Sequence, residues 1–308
     1  METTRDTKRA LSLIGFASLA FVIVNLLLGL VIKNVAVFQT NNQWLWFLIH
    51  TCPVYLFVIP AYLVFLSFIP KGAFVRPKER MKLSRVLMIF FAFSAVAGIL
   101  DSGIGMAITA VPFFTYKTTV SNFPQSGVSA ALIGLLGALI AGFGEEFVFR
   151  KKLYEKMAGC PDIFYILVSG ITFGILHTFF AQGIGTCFLG FAFAYIYLRT
   201  RNYFLVVILH ALNDIVSLFV VPLVAMVSPV AYRIPEVYFF ITIVILIFTV
   251  IEKEAVRRRK ELLKYMRPAE ESGWAFASAK LPFKAVFSSV GTAICAAVCF
   301  GIMVWHLF

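Results

Sequence analysis

Gly142-Phe143-Gly144-Glu145-Glu146-Phe147-Val148-Phe149-Arg150 closes an apolar run that begins at Val128 and carries no charge before Glu145. A run of that length reads as a membrane-spanning helix. Two adjacent carboxylates at its end are costly unless water, a counter-charge or a protein-lined cavity receives them. On a helix Arg150 falls four residues after Glu146, on the same face, which predicts an ion pair. Glu145 lies about 100° further round the axis. One acid is held by an arginine and the other is free to act.

The rest of the chain extends the membrane reading. Of its 308 residues 61% are hydrophobic and 14% charged, with a mean hydropathy of +0.92. A soluble chain carries about 25% charged residues. Candidate spans are Leu11–Ile32, Trp44–Ile69, Val86–Val111, Val128–Phe149, Ile163–Phe180, Ile184–Leu198, Tyr203–Met226, Val237–Ile251 and Ala285–Trp305. They predict an all-α, polytopic integral membrane bundle of about eight or nine helices. The first span lacks a small-residue cleavage site and is read as a retained helix.

The net charge of +12 does not point to nucleic acid, because the basic residues gather at helix ends. Lys71 to Arg85, Arg150 to Lys156, Arg199 with Arg201, and Arg257 to Lys260 fall on alternate connections. The positive-inside rule then puts these connections and the N-terminus in the cytoplasm and, with nine spans, the C-terminus outside. Glu252 to Lys280 is expected to rest as a basic segment on anionic lipid. The cysteines show no paired metal-ligand spacing, and Cys295 with Cys299 read as small packing residues.

Ionisable residues inside the spans are His50, Asp101, Glu145, Glu146, His177, His210 and Asp214, with His306 at the end. His50 reads as an interfacial or packing residue. Asp101, followed by Ser102 and Gly103, suggests a local helix break. Phe173 and His177 share one face of their span, and Gly170 and Gly174 let another helix approach. His210 and Asp214, four apart, share a face of the seventh span, beside Asn213. Three polar stations from three spans therefore converge on one pocket. A carboxylate and an imidazole there can deprotonate a water while a second imidazole stabilises an oxyanion, which is hydrolysis of an acyl bond. Glu145 and two histidines also form a conceivable zinc site. Because the chain lacks the His-Glu-x-x-His arrangement, metal-free water activation with no cofactor is preferred, zinc being the alternative.

At these residues the chain resembles the CPBP family: type II CAAX prenyl endopeptidases and bacterial Abi-like relatives linked to bacteriocin processing and self-immunity. The motifs are Glu145-Glu146-Phe-Val-Phe-Arg150, Phe173-Gly-Ile-Leu-His177 and His210-Ala-Leu-Asn-Asp214. The resemblance covers a core of about 128–226, leaving 1–127 and 227–308 as flanking helices without a motif. It implies an intramembrane glutamic endopeptidase in which Glu145, assisted by His177, activates water and His210 joins the oxyanion group. Glu146 with Arg150 would be the supporting pair. Asp214 stands where many members have asparagine, and an ionised aspartate cannot donate to an oxyanion. It is protonated, or orients His210, or Asn213 contributes instead. The implied partners are a lipid bilayer and a membrane-associated peptide or lipidated protein. The expected location is a bacterial cell membrane with a cytoplasm-accessible site. A non-catalytic scaffold or self-immunity protein is the alternative, and a proton-coupled transporter a third, disfavoured by the lack of visible inverted repeats.

Depth supplies one further expectation. At ~1.5 Å per residue Glu145 lies about 7–8 Å from Arg150, whereas His177 lies about 20 Å along its helix from the same side. The two meet only if Arg150 to Pro161 is helix sunk into a protein-lined cavity.

Overall fold

The computed structural model describes residues 2–35, 38, 40–72, 78–115, 127–220, 246–247, 250–251 and 288–308. The expected eighth span, apart from four of its residues, the segment Glu252 to Lys280, and the beginning of the last span lie outside them.

Every regular element among the described residues is helical. The order is α1 (Glu2–Asn34), α2 (Gln43–Pro53), a π-helical turn (Val54–Val58), α3 (Ile59–Ser67), α4 (Leu83–Thr109) and α5 (Gly127–Glu146). A second π-turn (Phe147–Lys152) leads into α6 (Leu153–Met157), followed by α7 (Asp162–Ile175), α8 (Phe180–Thr200) and α9 (Tyr203–Ile215). A third π-turn (Val216–Val220) extends α9, and the last described helix is α10 (Val290–Trp305). Five stretches are long and apolar enough to cross a membrane, and three shorter apolar helices accompany them. Their outward faces carry apolar side chains such as Leu27, Leu30, Leu56, Val64, Leu132 and Ile208. In water such a surface would aggregate; against lipid it is the expected exterior.

Helix α4 runs unbroken through Asp101, Ser102 and Gly103, against the expected break. Glycine in a helix interior costs only about 1 kcal/mol, too little to interrupt a 27-residue helix. Helices α1 and α10 lie side by side and run in the same direction. Gly15 meets Gly291, and one turn further on Ser18 meets Cys295. Bare glycine backbones let the two axes approach closely.

The segment after α5 follows the depth expectation and departs from the reading of its charges as a surface connection. The chain does not leave the bundle at Arg150 but continues as helix to Met157, with Phe149, Arg150, Leu153, Tyr154 and Met157 buried. Arg150 is therefore an interior residue and not a loop charge. Met157 stands about 18 Å beyond Glu145 along the axis, and α7, which returns from Asp162, climbs about 20 Å to its end. The depths close. Hydroxyls of α7 satisfy the carbonyls of the π-turn: Ser169 donates to Phe149 at 2.9 Å and Tyr165 to Arg150 at 3.3 Å. A widened turn frees carbonyls that need such partners.

Charges at the end where α7 begins lock four segments. The Arg199 guanidinium, buried, pairs with Glu79 and lies 3.5 Å from Asp162. Arg201 stacks its guanidinium 3.6 Å over the Tyr154 ring and bonds its hydroxyl. These arginines were expected as loop charges; in the fold they tie α8 to α6, α7 and the segment before α4.

Candidate active site

Two glycines of the opening stretch set the site's two walls. A Cβ at Gly142 would stand 3.1 Å from the Val207 carbonyl and 3.6 Å from His210 Cβ, so this glycine brings α9 against α5. Gly144 faces the other way: a Cβ there would fall 2.3 Å from the Tyr55 ring and 2.9 Å from Ile59. Gly170 and Gly174 do for α8 what the sequence suggested, since Cβ atoms there would collide with Phe191 and Cys187.

Glu146 and Arg150 form the expected pair, Arg150 Nε to Glu146 Oε2 at 2.9 Å, with both side chains fully buried. The other oxygen of Glu146 accepts from His210 Nδ1 at 2.8 Å. The supporting carboxylate is thus a bridge: it neutralises the arginine and orients the imidazole in one contact. The opposite nitrogen, His210 Nε2, faces Glu145 Oε2 at 3.7 Å and Asp214 Oδ2 at 3.5 Å. Glu145 and Asp214 keep 29% and 30% of their side-chain surface exposed, against none for Glu146. The free acid and the held acid therefore occupy the two environments that their spacing implied. Asn213 is half-buried on α9; Asp214 is the neighbour that reaches His210.

Phe173 is the platform of the cluster. The Arg150 guanidinium lies 4.4 Å over its ring and 5.5 Å over Phe193. The imidazoles of His177 and His210 both approach Phe173 edge-on, at 5.1 and 5.8 Å between centroids, and His210 stacks on Phe193. Among the described residues the two terminal Arg150 nitrogens have no hydrogen-bond acceptor; aromatic faces receive them instead.

His177 departs from expectation. Helix α7 ends at Ile175, so His177 sits in the turn to α8, beside Thr178 with φ 58°. Its Nδ1 contacts the Phe173 carbonyl at 3.0 Å, which leaves Nε2 available. The imidazole in ionic contact with Glu145 is that of His210. His306 reaches back from α10, its Nδ1 3.1 Å from the Thr178 carbonyl and its ring on Phe179, steadying this turn. His50 stacks on Trp46, away from the cluster, as a packing residue. Cys295 and Cys299 are buried thiols with sulfurs 3.8 Å apart. Among the described residues no group of three or more His, Cys, Asp or Glu side chains is arranged to hold a metal ion.

Tyr55 was missed because nothing local marks it. It stands on the π-turn after Pro53, whose missing N–H and bulky ring disturb the helix there. With Ile59, Phe143, Gly144, Phe147 and Tyr203 it lines a mainly apolar cavity of about 360 Å³ on the Gly144 face of α5.

Fold and cluster together define an integral-membrane helical protein with an acid–imidazole centre enclosed by its helices. Residues 127–216 match the family model described as Rce1-like, type II CAAX prenyl endopeptidase Rce1-like, over less than a third of the chain. That segment holds all three motifs on which the resemblance was drawn. No curated protein and no solved structure matched in the corresponding searches.

Proposed function

We propose that the protein is an intramembrane endopeptidase that hydrolyses a peptide bond of a membrane-associated peptide or lipidated protein. The observation that carries this reading is the division of labour between the two glutamates. Glu146 spends both oxygens on Arg150 and His210, while Glu145, 3.7 Å from the same imidazole, keeps part of its side chain exposed.

In this reading a water rests between Glu145 and His177. Glu145 takes its proton as the water oxygen bonds to the scissile carbonyl carbon, and the carbonyl electrons move onto oxygen. His210, charged and held by Glu146, presents Nε2–H to that oxyanion. Collapse breaks the C–N bond, and the proton held by Glu145 passes to the leaving amine. Arg150 and protonated His210 offset two of the three nearby carboxylates. Asp214 orients His210 from the exposed side. Residues 128–226 serve as the catalytic core, with 1–127 and 227–308 flanking it. The match of 127–216 to an endopeptidase family supports the reaction class. The reading places the protein in a bacterial cell membrane with its site reached from the cytoplasmic side, and the basic residues between Lys71 and Arg85 support that orientation.

Purified protein in detergent or vesicles, given a membrane-tethered peptide, is expected to cleave it, and Glu145→Ala to abolish cleavage. Chelator treatment leaves the rate unchanged; loss restored by zinc would replace the metal-free mechanism. Retention of the wild-type rate by Glu145→Ala would leave a scaffold or self-immunity role as the better reading.

A further inference from the structure

The carboxylate of Asp214, where many relatives of the resembled family have an amide, leaves the oxyanion one donor short. His210 has a single N–H to give, because Nδ1 is committed to Glu146 at 2.8 Å. An ionised Asp214 gives none. A side chain close to both Glu145 and Asp214 can supply a further donor.

Two tyrosines line the cavity against Gly144, the residue before Glu145. The hydroxyl of Tyr203 is taken, donating to the Phe143 carbonyl at 2.5 Å. The hydroxyl of Tyr55 has no hydrogen-bond partner among the described residues and stands within the electrostatic field of both Glu145 and Asp214. Its ring lies flush on the bare backbone of Gly144, the residue before Glu145, with no room for even a methyl group between them. The π-turn Val54–Val58 carries Tyr55 on one side of the site, and the π-turn Phe147–Lys152 carries Arg150 on the other. Register shifts of this kind aim one side chain off the regular helical face.

We propose that the Tyr55 hydroxyl is a second hydrogen-bond donor to the oxyanion, beside His210 Nε2–H, in the position that the Asp214 carboxylate cannot fill. The inference rests on the endopeptidase reading above, and it brings into the site a residue outside both the matched segment and the motifs. No bond to Tyr55 forms or breaks; its O–H donates as negative charge develops on the carbonyl oxygen and relaxes when the C–N bond breaks.

Tyr55→Phe keeps the ring on Gly144 and removes only the donor. The expected result is a fall in kcat of about 100- to 1,000-fold, little change in KM, and unaltered thermal unfolding. Adding Asp214→Asn, which restores an amide donor, is expected to recover at least about tenfold of that loss. A tyrosine that only packs would leave kcat of Tyr55→Phe at the wild-type level, and that result overturns the proposal. A second readout needs no turnover: 3-fluorotyrosine at position 55 should shift its fluorine resonance when Glu145→Gln or Asp214→Asn is introduced, and an unmoved resonance overturns the placement. Active wild type, inactive Glu145→Ala and fully active Tyr55→Phe would remove Tyr55 alone. Inactive wild type, or active Glu145→Ala, would remove the endopeptidase reading and this inference with it.

Discussion

His210 Nδ1 lies 2.8 Å from Glu146 Oε1, on a carboxylate whose other oxygen is held 2.9 Å from Arg150. Two groups, Arg150 on the π-turn after α5 and His210 on α9, thus share one fully buried acid. Removing the acid strands a buried guanidinium, which costs far more than removing an exposed partner. Glu146→Ala is expected to lower stability by about 3–5 kcal/mol, and Glu145→Ala much less. Thermal unfolding of both variants in the same detergent measures this. Equal shifts would contradict the division between the held and the free acid.

Gly144 separates Glu145 from Tyr55 by nothing thicker than backbone. In Gly144→Ala the new methyl carbon would fall 2.3 Å from Cε1 of Tyr55 and 2.9 Å from Ile59 Cδ1, so the Tyr55 ring has to move. Misplacement by about 1 Å at a reacting centre costs on the order of 100-fold in rate. Gly103→Ala, in open space on α4, is expected to leave the rate unchanged and to raise stability by about 1 kcal/mol. Peptide cleavage and unfolding temperature distinguish the two variants. Full activity in Gly144→Ala would show that Tyr55 need not sit where it does.

Ser169 keeps the π-turn carbonyl of Phe149 satisfied inside a buried interface. Ser169→Ala leaves that acceptor unpaired, with an expected loss of about 1–3 kcal/mol. If α5 and α6 rejoin as a regular helix, Arg150 rotates away from Phe173 and cleavage falls as well. A variant as stable and as active as wild type would mean that the π-turn holds without its hydroxyl partner.

Phe173 stacks beneath Arg150 and meets both imidazoles edge-on. Phe173→Leu keeps an apolar side chain but loses the ring face, whose attraction for a desolvated cation is about 2 kcal/mol. Stability should fall by about that amount, and the cleavage rate more than in Phe173→Tyr, which retains a ring. Equal rates for the leucine and tyrosine variants would reduce Phe173 to a space-filling residue.

Much of this was legible in single helices. Glu146 with Arg150 and His210 with Asp214 were paired from a four-residue spacing, and the pairs form because 3.6 residues per turn stack such positions whatever surrounds them. The apolar runs announced the bundle for the same local reason, since hydrocarbon admits a backbone only when its hydrogen bonds close within the segment. The buried length beyond Arg150 was also accessible, from the depth at which His177 had to meet Glu145. The break at Asp101 was misread because a polar residue followed by glycine resembles a helix end, while the helical bonds on either side outweigh its small cost.

The amino-acid sequence by itself determined the membrane-helical class, the three polar stations and the split between a held and a free glutamate, all properties of neighbours within one helix turn. Only the tertiary structure decided that Glu146 bridges Arg150 to His210, that His177 stands in a turn, that Arg199 and Arg201 are interior locks, and that Tyr55 packs on Gly144. Those relationships join residues far apart in the chain. They depend on where bare glycines let helices touch and on π-turns that shift the register of a face, and no local spacing encodes either.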